Sequence, residues 1–509
     1  MNFNRSILRR WAVLASITLL SACGGVQPTA DRPTLTVQSN WETTLAQTIE
    51  VPVAIEDDNP NGVVVTAVSW NPTLLPDSAL VVSGSGDQRT LSITANPDST
   101  GTAAVTIVAR SEGGIEATST ISVTITAPFQ SAAPLAADSA APGDSYGESV
   151  AVSGNLAIVG AIQDNIFSMD HGYAYVFTRS GGTWQKEATL TASDGAVGDE
   201  FGRSVAISGD RAIVGAPADE SGTGAAYVFA RTDGTWTEVE KLTASNGIER
   251  SRFGVDVAIS GDRIVVGANV RDVNGKAAVG SAYIFERAEA GWNEVQILTG
   301  SENAGSSFGY AVDISGDDII IGALGDDNSG GSRAGSAYVF ERTGTSWTQT
   351  AQLTASVTQE PHYFGSDVAI DGDYVIVGAP QDRDATSGSG YATVFKRTDG
   401  LWGIETNLMP DAPETRGSFG HSVAISGADV LVGAPFDAGE NEANTSRVHV
   451  YARSGAGWEE VATLGPADEG SRDLFGSSVA ISDDAVVVGA PEADPVTPEL
   501  PGSASLFTR

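Results

Sequence analysis

One cysteine, Cys23, stands in a chain of 509 residues, so no internal disulfide can form and a small stapled secreted fold is excluded. The chain has only 3 Met and 4 His. The histidines His171, His362, His421 and His449 show no metal-ligand spacing, and His449 reads as structural. There is no Gly-x-Ser-x-Gly elbow and no Gly-rich phosphate loop opening a helix. Basic residues are scarce, 28 against 64 acidic, and the formal charge of -36 is spread along the chain. Such a field repels nucleic acid at every approach and favours cations and basic partners. What is abundant is 59 Gly and alternating Val, Ile, Ala and aromatic residues, 41% hydrophobic in all. That pattern excludes disorder for most of the length and predicts strands.

The first residues read as an address. Arg5, Arg9 and Arg10 precede an apolar run from Trp11 to Leu20, about half of the ~20 residues a spanning helix needs, so 1–22 is predicted to be a secretion signal. Leu20-Ser21-Ala22-Cys23 resembles a bacterial lipobox, which implies that Cys23 is acylated and anchors the protein to a membrane. An ordinary signal peptide and a buried thiol are the alternatives. Residues 23–32 would form a polar tether, and Gly24 after the cysteine resembles an outer-membrane sorting signal. Cleavage removes three of the 28 basic residues and no acidic one, leaving 25 against 64, a charge of -39.

Residues 33–128 predict a β-sandwich of seven short strands, at Leu35–Val37, Ile49–Ile55, Gly62–Val68, Ala79–Val82, Thr90–Ala95, Thr102–Ala109 and Thr118–Thr126, parted by turn formers. The stretch from Leu91 to Pro97, followed by Gly101 to Ile107, resembles bacterial immunoglobulin-like or cadherin-like modules. Trp70 is expected in the core or between the sheets. Glu56-Asp57-Asp58 reads as a solvated acidic turn, with calcium ligation as the alternative.

From residue 129 a repeat dominates. An aromatic-Gly pair recurs at Tyr146, Phe201, Phe253, Phe308, Phe364, Phe419 and Phe475, at intervals of 52 to 56 residues. Each pair opens a strand, then a two-residue corner, a second strand ending in Gly-Ala, a third carrying Ala-Tyr-Val-Phe or a variant, and a fourth starting at Trp184, Trp236, Trp292, Trp347, Trp402 or Trp458. Four strands repeated radially describe a seven-bladed β-propeller over 129–509. The last copy stops at Arg509 without a Trp strand. Counting back 17 residues from Tyr146, as from Phe201 to Trp184, reaches Phe129, so segment 129–137 is predicted to complete the last blade. The fold class is therefore all-β, a sandwich followed by a propeller closed by an N-terminal strand. The Gly-Ala ends are read as points of close backbone approach, and the tryptophans as packing between blades, with a sugar-binding ladder as the alternative.

The Phe-Gly and Gly-Ala-Pro pattern over residues 129–509 resembles the FG-GAP repeats of the integrin α-subunit propeller and their bacterial relatives. In that family many copies carry an Asp-rich calcium loop between the first two strands; here the connection shrinks to Ser208-Gly209-Asp210 and its equivalents, so no calcium residue is carried over. The loops between second and third strands vary and are acidic. Asp326, Asp327, Asn328, Asp382 and Asp384 are the candidates there for a ligand or a calcium ion, with a solvated rim as the competing reading. The expected function is a non-catalytic, lipid-anchored binding or adhesion protein of the cell envelope, at the outer membrane or cell surface, whose loop face meets a protein or a glycan. A polysaccharide-active enzyme using loop carboxylates and a scaffold subunit of an envelope complex are the alternatives.

Overall fold

The computed structural model describes residues 32–44, 48–95, 100–126, 128–137, 144–162, 171–301, 303–356, 363–380, 390–410, 418–435, 446–454, 457–466, 474–491 and 502–509. Cys23 with the signal segment, and the loop residues Asp382 and Asp384, lie outside them. The two units part between Pro128 and Phe129.

The first unit is a sandwich of two four-stranded sheets. One contains Thr34–Thr36, Thr48–Glu56, Gln88–Thr94 and Leu80–Ser85; the other Asn40–Thr44, Glu116–Thr126, Gly101–Arg110 and Val64–Ser69, each in spatial order. Period-two alternation explains the core: in Gly101–Arg110 the residues Ala103, Val105 and Ile107 are buried with Val51, Val53, Leu91 and Ile93 of the facing sheet, and Ala109 is buried with Ile55. The structure has an eighth strand that the sequence reading lacks. Asn40–Thr44 pairs in parallel with Glu116–Thr126, because the chain leaves the first sheet after Thr36 and joins the edge of the second. Its Trp41, 4% exposed, is the core aromatic. The expectation for Trp70 is corrected: it is 76% exposed, because it follows Ser69 on the outward phase of its strand.

The second unit is a ring of seven four-stranded antiparallel sheets, spanning 146–190, 204–242, 257–298, 312–353, 368–408, 423–464 and 478–508. These are blades 1 to 7. Blade 7 takes its fourth strand from Gln130–Ser131. Phe507 faces Ser131 just as Phe229 of blade 2 faces Glu238, and each partner lies two residues past its aromatic, Phe129 or Trp236. Pairing continues through Ala132 N–H to Leu506 C=O at 2.8 Å and Leu135 N–H to Ala504 C=O at 3.0 Å. Phe129 is buried with Phe475 and Phe507, so it occupies the position tryptophan has in other blades.

The recurrent residues pack the seams between blades. Phe201 stands edge-on to Tyr227 at 5.5 Å, and Leu156, Ile158 and Val176 of blade 1 lie in the same cluster with Trp236. The same edge-on pair recurs as Phe253 with Tyr283 at 5.2 Å and Phe308 with Tyr338 at 5.4 Å. His449 replaces that tyrosine in blade 6 and is buried against Phe419, a structural position as expected. The Gly-Ala glycines have a steric cause. A Cβ on Gly322 would overlap the carbonyl oxygen of Gly365 in the next blade, and one on Gly489 would overlap that of Gly147, where the ring closes.

Candidate functional site

The innermost strand of each blade is an edge, with N–H groups that no neighbouring strand takes up. The sequence satisfies them with side chains from the preceding blade. At the corner end, Ser153, Ser208, Ser260 and Ser315 accept from the N–H of Gly209, Gly261, Gly316 and Gly372 at 3.2 to 3.5 Å, and Asp371 accepts from Gly427 at 2.7 Å. Ser482 of blade 7 accepts from Gly154 of blade 1 at 3.0 Å, carrying the girdle across the closing seam.

Inside this girdle is an axial cavity of about 900 Å³ lined by all seven innermost strands. Besides Asp371 of the girdle, three aspartates stand in its wall where other blades have Ser or Ala. Asp256 accepts from Val312 N–H of the next blade at 2.6 Å and from Val257 N–H at 3.0 Å. Asp313 accepts likewise from Ile370 and Ile314, both at 2.8 Å, and Asp367 from Val423 at 2.6 Å and Val368 at 2.9 Å. Each carboxyl stitches one seam, and the three seams are consecutive, from blade 3 to blade 6. Burial within the ring pushes Asp256 up to about 7, Asp313 to about 6 and Asp367 to about 8, against the pull of the amides, and the negative neighbours add to the rise. Each keeps part of its surface open to the cavity, so water there moderates the effect.

Glu148 and Arg203 form an ion pair of 2.5 Å in the cavity wall, and Tyr310 and His421 occupy the same repeat position in their blades. Burial raises the Tyr310 phenol above its ordinary value, although Arg203 opposes the shift. That position, the residue after Phe-Gly or Tyr-Gly, holds Glu148, Arg203, Val255, Tyr310, Ser366, His421 and Ser477 in turn, while the Val two places on is the same in every blade. Apart from His421, noted only as one of four histidines, the sequence reading passed over these residues and the three aspartates. Comparing the seven copies position by position would have exposed them, because the framework stays constant while these slots change.

Of the described loop candidates Asp326 turns inward, Asn328 is half-buried and Asp327 is exposed. Asp326 is fully buried; Tyr338 O–H donates to it at 2.6 Å, Asn303 at 3.1 Å and Gln352 at 3.3 Å, and Ser301 adds a short hydroxyl contact. Asp327 accepts from Ser332 at 3.0 Å and from Arg333 N–H at 2.7 Å, while Asn328 donates to Gly335 C=O at 2.6 Å. These groups hold their own loop, and Asp326 does for Tyr338 what Asp219 and Asp194 do for Tyr227. Lys241 joins those two carboxylates at 2.6 and 2.8 Å, and Tyr227 O–H reaches Asp194 at 2.8 Å. Desolvation opposes the Lys241 charge, yet hydrogen bonds to both aspartates outweigh it and raise its affinity for the proton. Among the described residues no group of three or more His, Cys, Asp or Glu could hold a metal ion, and the oxygens of Asp326 are already taken by protein donors, so they do not fit calcium.

The sequence pattern of the FG-GAP repeat matches seven segments, 129–177, 184–229, 236–285, 292–340, 347–395, 402–451 and 458–507. The chain belongs to the FG-GAP repeat family. Each matched unit runs from an outer strand into the first three strands of the following blade, and the first of them starts at Phe129. No curated protein matches the chain in sequence. Among solved structures it is similar to the extracellular domain of the putative one component system BT4673 from B. thetaiotaomicron, at 10% identity and a TM-score of 0.38 over 74% of this chain and 39% of that one. It is also similar to the titin M3 domain, at 14% identity and a TM-score of 0.15 over 18% of this chain and 96% of that one. The BIgI domain of beta protein from S. agalactiae, solved bound to CEACAM1, is 14% identical with a TM-score of 0.15, over 19% of this chain and 99% of that one.

Proposed function

We propose that this FG-GAP protein is a non-catalytic binding protein of adhesion type, held at the cell envelope by acylated Cys23, whose propeller presents its loop end to a protein or a glycan. One observation carries the binding reading: a ring stitched at its seams, with fixed two-residue corners at one end and loops of changing length and sequence at the other. The carboxylates that the described residues bring together are engaged in holding that ring or its loops, which supports binding over chemistry. The lipobox supports the anchoring, and the outer membrane or cell surface is the location it implies. The test is recovery of the full chain in the membrane fraction and its transfer to the soluble fraction by Cys23→Ser, combined with binding to arrayed envelope, matrix and glycan components. Soluble wild-type protein that retains no component contradicts the proposal.

A polysaccharide-active enzyme is the second reading, and the elevated carboxyls favour it, because an acid near neutrality in a cavity is what proton transfer needs. Turnover of neutral or acidic polysaccharides that Asp367→Asn abolishes would establish it.

A further inference from the structure

The outward face of the sandwich sheet carrying Trp70 is built unlike the rest of this acidic chain. Trp70 follows the edge strand Val64–Ser69 and is 76% exposed, although tryptophan is ordinarily a residue that folding covers. Its side chain is pinned. The indole N–H donates to Thr106 Oγ1 at 2.8 Å, and Thr106 Oγ1 in turn pairs with Thr120 Oγ1 at 3.0 Å on the neighbouring strand. Thr102 and Thr124 form a second hydroxyl pair at 3.1 Å on the same face. Val68 stands beside Thr106 in register and is 48% exposed. The surface is thus an aromatic plate fixed in orientation, backed by hydroxyls in rows across three strands.

Charge decides the occupant. On these three strands the outward positions are uncharged except at one end, where Arg110 and Glu116 neutralise each other at 3.0 Å, and the fourth strand, Asn40–Thr44, adds one acidic position, Glu42, in register with Thr124 and between the buried Trp41 and Thr43. A chain of charge -36 repels a polyanion, and a single acidic position on the edge strand gives a polycation no row of charges to bind. An uncharged ligand that has an apolar flat side for the indole and hydroxyls for the threonine rows is complementary on every count. We propose that this sheet face is a second binding site, for an extended uncharged polysaccharide whose pyranose C–H face stacks on Trp70 while its hydroxyls exchange hydrogen bonds with Thr106, Thr120 and the Thr102 and Thr124 pair. It is independent of the propeller function, since none of its residues belongs to that unit.

The test is native electrophoresis of the full chain in gels containing mixed-linkage β-glucan, with polygalacturonate as the charged counterpart. Retardation by β-glucan alone is expected, at least tenfold weaker in Trp70→Ala and several-fold weaker in Thr106→Val, with both variants eluting as wild type in size-exclusion chromatography. An unchanged unfolding midpoint in Trp70→Ala confirms that the loss is not a loss of fold. No retardation by β-glucan overturns the proposal, as does equal retardation of Trp70→Ala or equal retardation by polygalacturonate. Conversion of a wild-type dimer to a monomer by Trp70→Ala also overturns it, because a second copy then covers the face.

Discussion

Replacing Asp367 by Asn tests whether the cavity carboxyls are strained by the ring they stitch. A carboxyl raised on folding binds its proton more tightly in the folded state, so its contribution is fully present below the unfolded value and disappears as pH rises through the folded one. With Asp367 near 8 when folded and about 3.9 when unfolded, stability falls by about 2.7 kcal/mol between about pH 6 and pH 9. The same arithmetic gives about 1.4 kcal/mol for Asp256, near 7, and about 0.4 for Asp313, near 6. The three feel one another and are partly open to the cavity, so these figures are upper bounds on a joint titration. Ordinary carboxylates are already ionised throughout that window and do not contribute to the slope. Asp367→Asn also gives up one amide partner, which lowers stability at every pH by about 1–3 kcal/mol without changing the slope. Urea denaturation at closely spaced pH values reads the slope directly. Wild-type protein should weaken steadily from about pH 6 to pH 9 while Asp367→Asn loses over half of that decline. A flat wild-type profile, or a variant with the wild-type slope, refutes the reasoning.

Asp326→Ala removes the acceptor of the buried Tyr338 hydroxyl, together with contacts to the more open Ser301, Asn303 and Gln352, and should cost about 1–3 kcal/mol in chemical denaturation, chiefly for the hydroxyl left unpaired. A loss below about 1 kcal/mol would return that carboxylate to the ligand candidates. Gly322→Ala drives a methyl into the Gly365 carbonyl, backbone that cannot swing aside, and should destabilise by about 3 kcal/mol or prevent folding, whereas Gly403→Ala, with open space around it and an ordinary strand backbone, should retain the wild-type spectrum. Phe308→Ala should cost about 3–5 kcal/mol, because the ring is fully buried between two blades, and thermal unfolding is the check.

The propeller was legible in the sequence because its causes are local and repeated. A two-residue corner, a strand alternation and a steric glycine each leave a mark, and seven copies make the marks additive. Even the closing strand could be found by counting, since Phe129 stands 17 residues before Tyr146 as Trp184 does before Phe201. Trp70 could not be placed, because an aromatic next to a strand reads the same on either phase until the register is known, and Trp41 went unread because its strand, Asn40–Thr44, was not foreseen. The site candidates were harder for another reason. Acidic residues in loops suggest ligation, but Asp326 is spent on Tyr338, a partner set by the fold. Asp256, Asp313 and Asp367 sit inside ordinary strand patterns, and only the ring gives them a cavity and an amide across the seam.

The ring is closed by a segment from outside its last blade, and a cysteine pair reads that closure. Gln130 and Thr508 are partners in the closing ladder, so Gln130→Cys with Thr508→Cys, in a chain carrying Cys23→Ser, should form an intramolecular disulfide under mild oxidation and raise the unfolding temperature. Gln130→Cys with Thr398→Cys, on the third strand of blade 5, should remain reduced. Failure of the first pair to cross-link, or its cross-linking only between separate chains, would contradict the account.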